Sequence, residues 1–402
     1  MLTLAAWLVP VMGAVWYGAV TGWDAAFWLR WVVVGPALAL AWIALLVGPR
    51  RTRLPRVVLP LVLLVAYGLG VSVASKSSDL AFWKATAFGV TAMAALVCGA
   101  VLVERFGRSR VLVLWRWCWR AFLVFGLLAL ATGHWERDSA GLAGPSNNPN
   151  MYAALLVTFG LVLLNVHHVQ RLGWLYVLES GAAVALLFAT RSRASMAGAA
   201  AAVVLAVVLG RRARRWWIAG GIALVCALAL LLTPEVTLRG MEDVLEVSGG
   251  RSVFETRAAT WEASWDAMLA GLPFGFGWGV KELNPREWSM DAVSTGYGRE
   301  EGTSWLPIGE ELGLPGFVLW VWIWWALFRG AATSPHRLRP LAVGALGYYF
   351  VLATFEGWLL SPGSWECWAF WLTNGILLAR PQPVGHPVPP VPSLGRPVGA
   401  VA

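Results

Sequence analysis

Charge is the scarce commodity in this chain. Only 13% of its 402 residues are charged, against 58% that are hydrophobic, and mean hydropathy is +0.64. That balance excludes an ordinary soluble enzyme and implies a polytopic membrane protein. Cysteine is also sparse: Cys98, Cys118, Cys226 and Cys367 all fall in or beside apolar runs with no metal-ligand spacing. Neither a disulfide framework nor a zinc site is implied. There is no glycine-rich nucleotide loop and no carboxylate-rich metal motif. The net charge of +9 would suggest nucleic acid in a soluble protein, but most arginines sit in short clusters between apolar segments. They serve membrane topology, and no nucleic-acid partner is expected.

What is abundant is apolar sequence in lengths suited to a bilayer, which needs roughly 20 residues per helix. Such runs lie near 3–22, 28–48, 57–75, 80–103, 111–133, 151–167, 174–190, 195–210, 216–233, 317–330, 341–360 and 365–379. The first lacks a basic leader and a cleavage site, so it reads as a retained helix. The expected fold is all-α: a helix bundle of about twelve spans with one large extracytoplasmic loop carrying short amphipathic helices. Spans one to nine would occupy 1–233, the loop 234–316, the last three spans 317–380, and a proline-rich cytoplasmic tail 381–402. That tail, PQPVGHPVPPVPSLGRPVGAVA, is too rich in proline to pack or form a helix and is expected to be disordered.

Arginine clusters set the expected orientation. Arg50, Arg51, Arg53 and Arg56 follow the second run, Arg105, Arg108 and Arg110 the fourth, Arg171 the sixth. Arg211, Arg212, Arg214 and Arg215 follow the eighth, and Arg329, Arg337 and Arg339 the tenth. By the positive-inside rule these loops and both termini are cytoplasmic. One pair breaks the pattern: Arg191 and Arg193, in FATRSRASMAG, fall on the opposite face. Charge beside or inside a bilayer is costly and tends to meet a water-filled cavity or a ligand; snorkelling to lipid headgroups is the alternative. The 27 tryptophans gather near expected span ends, as in Trp115, Trp117 and Trp119 or Trp322, Trp324 and Trp325, which reads as an aromatic belt.

The external insert at 234–316 holds 14 of the 22 acidic residues and no histidine, so it is built to sit in water. Within it, Ser252 and Glu255 form a capping box, while Gly271 and Pro273 supply a stop. A helix over about 253–270 is predicted, with Phe254, Trp261, Trp265, Met268 and Leu269 on one apolar face. Arg257 shares that face with Trp261, where it would meet an anion or pair with Glu262 or Asp266. Further on, Thr303 or Ser304 can cap a helix beginning before Pro307, and Gly313-Leu-Pro-Gly316 interrupts it. Broken elements of this kind at a membrane face commonly line a cavity.

Four short motifs, in order, are similar to those of the bacterial O-antigen ligase and O-antigen polymerase family of membrane glycosyltransferases. They are Asn148-Pro149-Asn150 opening a span, Thr190-Arg191-Ser192-Arg193 after a later one, Arg257-x-x-x-Trp261 leading to Pro273-x-Gly275-x-Gly277, and Glu311-x-Gly313-x-x-Gly316 entering a span. The resemblance covers about residues 140–320. It implies an enzyme of the inner membrane that moves a glycan from undecaprenyl pyrophosphate to an acceptor sugar hydroxyl outside the cytoplasm. The acceptor would be a second lipid-linked repeat unit or the lipid A core. Membrane lipids and a chain-length regulator are the further partners it suggests.

On that resemblance Arg193 and Arg257 are the catalytic positions, because guanidinium groups stabilise a departing pyrophosphate with bidentate, permanently charged contacts. Arg191, Asn148, Asn150, Trp261 and Glu356 are the expected substrate contacts. The asparagines can equally serve as helix-start caps, and Glu356, within the expected eleventh span, as a buried partner for an arginine. No cofactor or metal is required, since the donor carries its own activation. One departure stands out. Family members often carry a histidine about eleven residues before the glycine of E-x-G, and that position here is Gly302. Glu300, Glu301 and Asp291 flank it; Glu301 is the candidate base. The missing histidine favours a polymerase over a ligase. A transporter or flippase of lipid-linked sugars would need mid-membrane charge and an internal repeat. No repeat is evident, and Lys84 and the arginines within span five are the main mid-membrane charges. A non-catalytic scaffold would leave Arg193 and Arg257 unexplained.

Overall fold

The computed structural model describes residues 39, 43, 52–53, 55–132, 141–142, 144, 149–164, 174–209, 253–280, 303–362 and 364–381. The runs at 3–22 and 216–233, nearly all of 28–48, and the tail beyond Pro381 lie outside these residues, as do Cys226, Asn148, Gly302 and Glu301.

The described chain is helical throughout. Its helices are α1 (Val58–Ala74), α2 (Ser78–Phe106), α3 (Arg108–Thr132), α4 (Pro149–Gly160), α5 (Trp174–Ala189) and α6 (Arg193–Leu209). They continue with α7 (Val253–Ala270), α8 (Leu306–Ala332), α9 (Arg339–Phe355) and α10 (Trp365–Leu378). The one β-pairing among the described residues is a two-residue ladder of Thr52–Arg53 with Arg380–Pro381. Among the described residues three helices are long and apolar enough to cross a membrane: α2, α3 and α8. Helices α1, α4 with its 3-10 extension to Leu164, α5, α6 and α9 are apolar but shorter.

Small residues set the closest packing. Helix α6 is rich in alanine and runs antiparallel to α9, with Gly198 against Tyr348, Gly347 against Leu205 and Ala201, and Gly344 against Ala202. Close backbone approach of this kind is how apolar helices associate where no hydrophobic drive separates lipid from protein. Gly99 of α2 and Gly375 of α10 do the same for their pair, each facing the other helix's backbone.

Arginines collect at one end of the bundle. There Arg108 donates from Nε to the Ile376 carbonyl at 3.3 Å and from Nη2 to the Ala379 carbonyl, while Arg380 donates to Thr333 Oγ1 at 3.0 Å. The loops at the opposite end hold the T-R-S-R turn and the end of α9. One expectation needs correction. Trp115, Trp119 and Trp324 do not form an aromatic belt: they are at most 3% exposed and pack in the core, as does Trp320. Their cluster partners Trp117 and Trp325 face outward, each beneath a guanidinium at 5.1 Å, Arg120 and Arg329 respectively. Alternation of core and surface tryptophan at helical spacing therefore explains clusters that composition alone assigns to an interface.

The arginines of α3 are structural as well. Arg116 and Arg120 reach Glu179 of α5 at 3.1 and 2.7 Å, with side chains 15%, 30% and 12% exposed. A carboxylate shared by two cations in a mostly apolar bundle leaves both uncompensated when neutralised. Glu179→Gln should lower stability by about 2 kcal/mol, read as a lower thermal midpoint in detergent. An unchanged midpoint would show that the charges find water instead.

Candidate functional site

The T-R-S-R motif is the turn of a helical hairpin. Thr190 closes α5 with its amide on the Leu186 carbonyl at 3.0 Å, and its hydroxyl donates to the Leu187 carbonyl at 2.6 Å. Arg191 follows at φ 55°, a left-handed conformation rare for a branched-chain-free cationic residue and costly without support. It is held by its amide on the Phe188 carbonyl at 3.0 Å. The Ser192 amide donates to Thr190 Oγ1 at 3.3 Å, and the Ser192 carbonyl accepts from Met196 at 3.0 Å as the first bond of α6. A three-residue turn thus places Arg191 exposed at the tip and Arg193 at the first position of a helix.

Arg193 stands in an unfavourable place for a cation. The amino end of a helix carries the positive pole of the macrodipole. Its Nη1 is buried with no hydrogen-bond partner among the described residues. Such an arrangement suits an anion, which both the dipole and the guanidinium would attract. The packing register also fixes its height. Arg193 lies five residues before Gly198, and Ala353 five after Tyr348, so antiparallel contact brings Arg193 level with the end of α9.

Helix α7 reaches that same end. It spans Val253–Ala270, as its capping signals predict, and Trp261 packs on Phe355 of α9 with centroids 5.9 Å apart and the rings tilted by 37°. Arg257 lies one turn earlier on α7; its side chain is outside the described set. The buried side of α7 is Ser264 and Ala267, with Trp261 and Met268 partly covered. Trp265 and Leu269 are 51% and 49% exposed. The predicted apolar face is therefore split, one strip packing on α8 and α9 and the other turned outward.

The glycine motifs form a clasp that fixes α7 to α8. The Phe276 amide donates to the Glu310 carbonyl at 3.1 Å, the Gly277 amide to the Glu311 carbonyl at 2.9 Å, and the Leu314 amide to the Pro273 carbonyl at 2.9 Å. P-x-G-x-G and E-x-G are thus two halves of one structure. Gly313 interrupts α8 at φ 61°, ψ −162°. The clasp is tied to α1 and its exit by Ser75 Oγ on the Phe276 carbonyl at 2.6 Å and Tyr67 on the Phe274 carbonyl at 3.3 Å. Trp278 is buried against Phe88, 4.7 Å between centroids.

Thr303 and Ser304 do not cap α8. Its N-cap is Trp305, with no side-chain bond. Thr303 Oγ1 donates to the Ala353 carbonyl at 3.2 Å and Ser304 Oγ to the Glu356 carbonyl at 2.6 Å, stapling the start of α8 to the end of α9. Glu356 is not within a helix, as the run 341–360 suggested. It is the residue that ends α9, in extended conformation, and is 5% exposed. Pro149 opens α4, where a missing amide costs nothing, and Asn150 follows half-buried.

One residue at this end escaped the sequence reading. Glu366, in the first turn of α10, is 1% exposed, and its Oε1 has no hydrogen-bond partner among the described residues. It lies close enough to Glu356 to feel that carboxylate's charge. A lone acid heading an apolar run in SWECW looks like an ordinary helix-start carboxylate, and only the packing of α9 against α10 shows the pair.

A shallow cavity of about 550 Å³ opens beside these elements, lined by Trp261, Glu262, Trp265, Asp266, Thr303, Trp305, Leu306 and Thr354. No group of acids, cysteines and histidines suited to a metal occurs among the described residues.

No curated protein matches the chain significantly. Residues 180–321 match the family model described as O-antigen ligase. That stretch runs from α5 through the T-R-S-R turn, α7 and the glycine clasp into α8. The N-P-N element lies before it. Over that stretch, about a third of the chain, the protein is similar to the O-antigen ligase family.

Proposed function

We propose that the protein is a surface-polysaccharide polymerase that moves a glycan from an undecaprenyl-pyrophosphate carrier to the hydroxyl of a second lipid-linked sugar, outside the cytoplasmic membrane. The observation that carries the reading is Arg193, a cation at the positive end of α6 whose buried Nη1 has no hydrogen-bond partner among the described residues. The acceptor oxygen would attack the anomeric carbon, the carbon to phosphate-oxygen bond would break, and the pyrophosphate would keep the electron pair. Arg193 and Arg257 would receive that growing charge, with Arg191 at the turn tip as their neighbour. Asn148, Asn150, Trp261 and Glu356 are proposed to hold the substrates. Glu301 is the proposed base for the acceptor proton, next to Gly302, the position where related enzymes often carry histidine. The reaction needs no metal in this scheme.

The positive-inside pattern supports a twelve-span topology with cytoplasmic termini and the T-R-S-R end outside. Ligation to the lipid A core is the second reading, favoured by the description of the matching family model. Purified protein in detergent, given undecaprenyl-pyrophosphate-linked repeat units alone, should lengthen them. Transfer only when lipid A core is added would establish the ligase. No transfer to either acceptor, with intact donor and folded protein, would overturn the transferase reading.

A further inference from the structure

The cavity between α7, the start of α8 and the end of α9 differs from the arginine site in its chemistry. Among the described residues its lining holds three indoles, two carboxylates and two threonines, and no arginine or lysine. A pyrophosphate would meet Glu262 and Asp266 there and be repelled. A neutral sugar would not. Indole faces accept the C–H-lined side of a pyranose, which is apolar, while carboxylates accept hydrogen bonds from its hydroxyls.

The geometry is suited to that use. Glu262 and Asp266 are four residues apart on α7 and so share one side of the helix. Both are exposed, and among the described residues neither makes a hydrogen bond or ion pair. Trp265 is 51% exposed and presents its ring without serving the core. Trp305 is rigid by contrast, held against Trp324 at 5.5 Å and Phe350 at 5.2 Å. Thr354 Oγ1 donates to the Phe350 carbonyl at 3.0 Å and keeps its lone pairs for an incoming hydroxyl. A volume near 550 Å³ falls within the roughly 300–1,000 Å³ of small-molecule sites.

We propose that this cavity is the acceptor-sugar subsite, binding the terminal residues of a neutral glycan by stacking on Trp265, Trp305 and Trp261 and by hydroxyl contacts to Glu262 and Asp266. The inference rests on the transferase reading for its direction, acceptor rather than donor. Thr303 and Ser304 bond to the end of α9 at Ala353 and Glu356, and Arg193 is level with Ala353. A sugar in the cavity therefore sits beside the place where the donor's pyrophosphate would lie.

The test uses the full-length protein in detergent and three probes: the repeat-unit oligosaccharide released from its lipid carrier by mild acid, the delipidated core oligosaccharide, and inorganic pyrophosphate. Saturation-transfer NMR reads binding. One oligosaccharide is expected to bind, the repeat unit for a polymerase or the core for a ligase. Trp265→Ala and Asp266→Asn should each weaken it on the order of tenfold, raise the acceptor KM with little change in kcat, and leave pyrophosphate binding and the thermal midpoint unchanged. Wild-type protein that binds neither oligosaccharide, or variants that bind as tightly as wild type, would overturn the subsite. Arg193→Ala separates this result from the parent reading. If it transfers glycan normally while Trp265→Ala loses sugar binding, the pyrophosphate mechanism fails and the sugar site stands.

Discussion

Arg193→Ala should reduce glycan transfer by about 10²–10³-fold, the loss typical of removing one preorganised group from a developing oxyanion, while leaving the fold intact or slightly firmer. The second half follows from the position. A guanidinium at the first residue of α6 opposes the helix dipole, and its Nη1 is buried without a partner among the described residues. Removing it relieves both costs, so the thermal midpoint should hold or rise as activity collapses. Residues that destabilise where they stand are characteristic of sites that trade stability for function. Arg193→Lys keeps the charge but loses the planar fork, and should recover only part of the rate. The loss should appear mainly in kcat, because the charge it meets grows as the carbon–oxygen bond breaks. Single-turnover transfer by the three proteins at saturating donor checks this. Wild-type turnover in Arg193→Ala would remove Arg193 from the mechanism.

The features legible in the sequence are those with local causes. The capping box and the Gly271 and Pro273 stop predicted α7 at 253–270, and the helix runs Val253–Ala270. Gly313 was readable as a break because a glycine followed by Pro315 cannot continue a regular helix, and it sits at φ 61°. The exceptional arginine pair was visible against an otherwise regular charge pattern. What escaped has tertiary causes. Thr303 and Ser304 look like caps, but the carbonyls left open at the end of α9 compete for their hydroxyls and win. Trp115 and Trp119 look interfacial until α4 and its 3-10 extension are packed upon them, with the Trp115 indole donating to the Thr158 carbonyl at 3.2 Å. Glu366 becomes notable only once Glu356 is carried to it by the turn after α9.

Gly313→Ala should have the largest effect on stability, about 3–5 kcal/mol, the sum of a backbone term and a lost clasp. At φ 61°, ψ −162° the residue occupies a region reserved almost wholly for glycine, so any side chain there costs about 1–3 kcal/mol. An added Cβ would also overlap the Pro273 carbonyl and lie within 2.7 Å of the Gly275 amide. Backbone cannot give way there as a flexible side chain can. The two strands must part, taking with them the bonds from Leu314 to Pro273 and, beside it, from Gly277 to Glu311 and Phe276 to Glu310, each worth roughly 1 kcal/mol. Gly70→Ala is the matched control: it lies in α1 with nothing within 4 Å of an added Cβ, and alanine in a helix is favoured by up to about 1 kcal/mol. Thermal midpoints in detergent should therefore move in opposite directions. Limited proteolysis should open Gly313→Ala near residues 271–280, and transfer should fail with it, since the clasp is what holds α7, Trp261 and the Arg257 turn against α9. Equal midpoints for the two alanine variants would mean that the paired glycine motifs are not the hinge pin of this face, and that α7 is held by its Trp261 contact alone.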